Sequence, residues 1–180
     1  MIAQPVMGTC TNESLTITGM DAVTSKVLPM NLCGDLTGQH IILSVKTLSA
    51  TDEVTVTVTI SGDRAQMWSI LVSQYESDQM DLLAPRGCLQ YYTEDAGSFS
   101  TFNFVSGAAG ELLNGHMYSV CLADNDAYCD VALTSDMFSL SGIPGECKDA
   151  VSFGVTAYCT DTFANMGTLT CKYACTTLEI

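Results

Sequence analysis

Two histidines, twenty carboxylates and nine cysteines are the side chains on which chemistry can rest in this chain of 180 residues. Nucleophilic hydrolysis needs a Ser or Cys held beside a His and an acid. His40 and His116 both open predicted strands, where a surface or edge position is the ordinary reading, and no G-x-S-x-G is present. Glu94-Asp95 offers adjacent carboxylates of the kind that perform acid–base work, but such pairs at turns are the norm in a chain this acidic. Ser106–Gly110 is glycine-rich yet lacks the lysine and following helix of a phosphate cradle. No catalytic residue is assigned, and the expectation is a chain that is not an enzyme.

Calcium asks for several oxygens converging from loops. Asp124-Asn125-Asp126, with Asp130 nearby, supplies them, so Asp124, Asp126 and Asp130 are the calcium candidates. An ordinary hydrophilic turn is the alternative, and no other cofactor is implied. There is no CxxC pair and no Cys/His cluster, which argues against zinc.

Cysteines dispersed through β-type segments instead point to disulfides and an oxidising, extracellular compartment. Cys10 and Cys33 bracket the first strand and its connector, and a bond between them would staple the N-terminal part to the sheet. Cys121 and Cys129 flank LADNDAY, short enough for a bridge across a hairpin base. Cys147, Cys159, Cys171 and Cys175 could form two further bridges, with three pairings open. Asn12-Glu13-Ser14 is an N-glycosylation sequon.

Charge narrows the partners. Twenty acids against six bases give −14, a surface that repels phosphate backbones and anionic lipid, so nucleic acid and membrane surfaces are poor partners. Solubility of a secreted protein accounts for this charge, with calcium or a basic partner as the alternative. No run is long enough to span a bilayer. Met1–Val6 lacks a leader's basic and apolar regions, so the expectation is a mature chain or a piece of a longer one.

The elements that must position these residues read as strands throughout. Leu15 and Ile17 alternate with threonines, and Ile41–Leu43 with Val45 resembles a buried strand. Val54, Val56, Val58 and Ile60 alternate with Thr55, Thr57 and Thr59, which predicts a strand with its valine face inward. Trp68, Ile70 and Val72 share the face of another, with Trp68 expected as a core plug. Four short runs then follow between acidic or glycine-rich turns: Gly87–Thr93, Ser98–Val105, His116–Ala123 and Ala127–Thr134. In the second, Phe102 and Phe104 fall on one face and Asn103 opposite. Asn114-Gly115 is a strong turn signal before the third. These runs predict an antiparallel meander. Val151–Tyr158 and Gly167–Ile180 continue the alternation, for about ten or eleven strands in all. No segment carries a helical period. The fold expected is all-β, a disulfide-stapled antiparallel β-sandwich, with 1–83 as one module and 84–180 as another, or both as one continuous unit.

APRGCLQYYT, STFNF, LLNGHMYSVC and AYCDVALT are similar to the CUB-type domains of arthropod and other animal extracellular proteins. MWSILVSQYE, CTNESLTITG and NLCGDLTGQHIILSV resemble the segments that precede that block, and the likeness runs from Cys10 to Leu140 and weakens from Cys147 onward. It implies a CUB- or jelly-roll-like extracellular β-sandwich without catalysis. Related sequences carry a cysteine just after the Trp strand, where Ser77 stands here. The resemblance thus implies that Cys88 has lost its usual partner and is unpaired and buried, paired elsewhere in the chain, or bonded to another subunit. Many CUB domains hold calcium on a loop-borne acidic cluster, but the spacing around Asp124 does not match that motif residue by residue.

Two classes of function remain. One is a structural or adhesive extracellular protein that self-associates into matrix or filaments, supported by thinly charged strand edges. The other is a monomeric module that recognises a protein or glycan through its loops, with calcium assisting. Tyr91-Tyr92 is the tempting aromatic pair, though only one of the two faces the core.

Overall fold

The computed structural model describes residues 2, 4–20, 26, 28, 31–45, 53–61, 67–106, 110–123, 130–135, 137–143, 146–153, 156–165, 169–172 and 177–179. Among them the chain is all-β. Strand β1 is Glu13–Thr18, β2 Thr55–Ile60, β3 Cys88–Tyr92, β4 Ser119–Leu122, β5 Asp130–Leu133 and β6 Gly142–Ile143. Then come β7 at Glu146–Cys147, β8 at Val151–Phe153, β9 at Thr156–Tyr158, β10 at Leu169–Lys172 and β11 at Thr177–Glu179. A 3₁₀ turn at Met80–Leu82 and a one-turn helix, α1, at Thr162–Asn165 interrupt them.

The alternation of apolar residues with threonine does build the antiparallel pair β1–β2, which sets Leu15 opposite Val58 and Ile17 opposite Val56. Leu15 is buried because Leu32 lies along its outer edge, the two exchanging backbone hydrogen bonds of 2.8 and 2.9 Å. The valine face of β2 is less covered than its pattern suggested. Val58 is half-buried, whereas Val56 and Ile60 are exposed, because β2 is the outer strand of a two-stranded sheet.

The larger sheet has the order β3-β4-β11-β8-β9. Here the expected meander is corrected. β3 runs parallel to β4, with a register shift between Cys88 and Gln90, and β4 has β11 on its other side. β5 pairs with β10 instead of its sequence neighbour. Ser98–Val105 is not a strand at all. Asn103 has φ +61°, a left-handed conformation that no strand accommodates, so Phe102 turns into the core while Phe104 stays exposed.

One core runs through the described residues. It joins Leu15 and Leu32 of the N-terminal stretch to Leu89, Phe102, Tyr118, Val120 and Phe153. At one end Phe163 of α1 stacks on Phe153 at 5.4 Å and meets the Tyr158 ring at 5.5 Å. Contacts cross from residues 1–83 to the rest. The Ile42 N–H donates to the Leu89 carbonyl, His40 Nε2 lies 3.1 Å from both the N–H and the carbonyl of Tyr91, and the Asn114 N–H donates to the Gly8 carbonyl.

Cys10 is bonded to Cys33, Cys88 to Cys121 and Cys147 to Cys159. The second bond corrects two expectations. Cys88 is not the unpaired cysteine, and Cys121 does not bridge to Cys129. Parallel pairing of β3 with β4 sets the Cys88 and Cys121 Cα atoms 5.7 Å apart, within the reach of one disulfide. Cys129 and Cys175 lie outside the described residues. The Cys171 backbone lies in β10, opposite Val131.

Candidate interaction surface

The acidic loop can be placed only at its end. Asp124 and Asp126 lie outside the described residues, while Asp130 begins β5 opposite Lys172 of β10. Among the described residues no group of three or more His, Cys, Asp or Glu side chains is arranged to hold a metal ion. Asn12 of the sequon is exposed, and its backbone carbonyl accepts a hydrogen bond from the Ser61 hydroxyl.

The histidines serve the fold. His40 meets the Tyr91 backbone through Nε2, and its ring meets Tyr92 edge-on at 4.9 Å, so it fastens the N-terminal stretch along β3. His116 donates from Nε2 to the Asn31 carbonyl at 3.1 Å. Burial holds its pKa below the ordinary imidazole value, and the bond to Asn31 acts the other way. His116, Asn31, Asn114 and Thr9 line a shallow pocket of about 220 Å³. Its polar groups already serve one another, since Asn114 Nδ2 donates to the Met7 carbonyl and to Thr9 Oγ1.

A second polar joint was not legible in the sequence. Asn103 is only 1% exposed. Its Oδ1 accepts from the Asp35 N–H at 2.9 Å and its Nδ2 donates to the Glu111 carbonyl at 3.0 Å. Glu111 in turn takes the Gly8 N–H on Oε2 at 2.9 Å. Gly34 sits against Asn103 Oδ1 with φ +83°, a place where a side chain would collide. Gln90 is likewise fully buried and donates to Gln39 Oε1 at 2.7 Å. Burial also pushes the Tyr118 phenol pKa well up, while its oxygen accepts from the Phe102 N–H.

The largest departure from expectation is at Met67–Tyr75. Trp68 is 55% exposed, so it is no core plug, and Leu71 is 92% exposed. Ile70, Val72 and Tyr75 are exposed as well, followed by Met80 and Leu82 around the 3₁₀ turn. Consecutive side chains of this run are therefore uncovered. Among the described residues Trp68–Tyr75 makes no backbone hydrogen bond. Solvating an uncovered apolar stretch of this length is unfavourable, which makes it the candidate contact surface among the described residues. It contains no charged residue, although the chain as a whole carries −14.

The sequence profile of the animal CUB domain matches residues 85–177, slightly more than half of the chain. No curated protein and no solved structure matches the chain. Animal CUB domains are typically extracellular modules that bind other proteins without catalysing a reaction. The matched stretch carries β3 to β10 and reaches the first residue of β11. With β3 to β10 and the Cys88–Cys121 and Cys147–Cys159 disulfides inside that match, the chain belongs to the animal CUB domain family.

Proposed function

We propose that this chain is a non-catalytic, extracellular structural or adhesive module that works through protein–protein contact. The observation that carries the reading is the uncharged, solvent-exposed run Trp68–Tyr75, which offers both apolar side chains and unpaired backbone groups. The acidic remainder of the surface favours solubility and disfavours nucleic acid and anionic lipid. In this reading Asn12, exposed beside β1, carries an N-linked glycan.

The test immobilises the intact, oxidised chain and measures binding of recombinant animal extracellular domains, with the chain itself among the analytes. Saturable binding that disappears in Leu71→Lys supports the reading. Absence of binding by every analyte, or binding indifferent to that substitution, overturns it.

A further inference from the structure

The structure holds an unpaired apolar stretch and an open strand edge within one chain. Among the described residues β2 is hydrogen-bonded to β1 on one side only, in a two-stranded sheet. Its other edge presents unpaired backbone groups beside Val56 and Ile60, which are exposed, and Val58, which is half-covered. Trp68–Tyr75 forms neither helix nor strand, makes no backbone hydrogen bond among the described residues, and is long enough in sequence to cover the six residues of β2. The two stretches also agree in pattern. A strand laid on the β2 edge can set Trp68, Ile70 and Val72 in line with Val56, Val58 and Ile60, and Leu71 in line with the threonines.

The geometry points to a second copy of this chain as the occupant: Trp68–Tyr75 of each copy adds as a strand to the free β2 edge of another. This inference rests on the binding reading above and names its partner. Charge argues for it. Two copies at −14 repel, so they can meet only where acids are absent, and neither Thr55–Ile60 nor Trp68–Tyr75 contains a charged residue. A basic partner, by contrast, would gain nothing from this uncharged patch and would seek the acidic surface elsewhere. Connectivity argues for it too. The segment follows β2 after only residues 61–66, yet it does not lie on its own β2 edge. Exchange of such an element between copies is a direct route to a dimer, or to an open chain if the exchange is not reciprocal.

Sedimentation velocity of the intact, oxidised chain over a range of concentrations and salt tests this. The expected result is concentration-dependent dimer or longer oligomer that strengthens with salt. The screening length falls from about 10 Å at 0.1 M to about 3 Å at 1 M, which removes the mutual repulsion. Val72→Pro deletes a backbone N–H that the single chain does not use, so it should weaken association by about tenfold or more. Its circular dichroism and melting temperature should be unchanged. Leu71→Lys provides the same loss by a different route, placing charge on the exchanged strand. A chain that stays monomeric at every salt overturns the inference, as does association untouched by both substitutions. If such a monomer still binds another extracellular domain through Leu71, the inference fails while the binding reading survives.

Discussion

Replacing Asn103 tests how the first half of the chain is fastened to the second. The side chain is buried, φ is +61°, and two hydrogen bonds reach Asp35 and Glu111. Asn103→Ala removes both bonds, each with a net worth of about 1 kcal/mol, for a loss near 2 kcal/mol. Alanine must also hold a left-handed backbone, which adds about 1 kcal/mol. Asn103→Gly adopts that conformation without strain. The glycine variant should therefore cost about 2 kcal/mol and the alanine variant about 3 kcal/mol. Urea unfolding of the oxidised chain, followed by far-ultraviolet circular dichroism, measures the difference from midpoint and slope. Trp68 fluorescence is a poor reporter, since the indole is already half in water. The adjoining Gly34 supplies a cross-check. Gly34→Ala drives its Cβ into Asn103 Oδ1, so the substitution should be costlier in the native background than in Asn103→Gly. An alanine variant within about 1 kcal/mol of the parent, or a glycine variant as unstable as alanine, would refute the reasoning.

Three further outcomes follow from the bonds and burial described above. Replacing Cys88 and Cys121 together by Ala should cost about 4 kcal/mol, against about 3 kcal/mol for Cys147 with Cys159, because their sequence separations are 33 and 12 residues; equal losses in urea unfolding would contradict that ordering. His116 is harder to protonate in the folded chain than in the unfolded one. Its contribution to stability is therefore complete above the ordinary value of 6.5 and declines as pH falls through 6.5 toward the lower folded value. The loss of stability on acidification from about pH 7.5 to 5.5 should be smaller in His116→Gln, and an unchanged pH dependence would count against the assignment. Nine cysteines less the six in Cys10–Cys33, Cys88–Cys121 and Cys147–Cys159 leave an odd number, Cys129, Cys171 and Cys175. Alkylation of the denatured, unreduced chain should label at least one of these three or reveal a disulfide-linked dimer, and label on Cys88 would overturn the pairing.

Sequence pattern located strands far better than it located their partners. Alternation at Leu15–Ile17 and Val56–Ile60 is local, and β1 and β2 form where it occurs. It announces that one face is apolar but not what covers that face, which is why Val56, Ile60 and Trp68 were expected inside and lie exposed. Strand order is a non-local property. Nothing in CLQYY or SVCL signals that these runs lie parallel, and the partner of Cys88 follows from that adjacency alone. Around Phe102 and Phe104 the error had another source. Asn103 looked like the outward residue of a strand, yet its side chain replaces backbone pairing with bonds to Asp35 and Glu111. A polar residue that tolerates positive φ, placed between two aromatics, was the available signal.

The order β3-β4-β11-β8-β9 also bears on how the protein is made. Its central strand, Thr177–Glu179, is synthesised after every neighbour it joins. While the chain is still emerging from the ribosome, β3–β4 and β8–β9 are separate ribbons, each with an edge awaiting the same three residues. The sheet therefore stays divided until Thr177–Glu179 has emerged, and β11 then closes it at a single step.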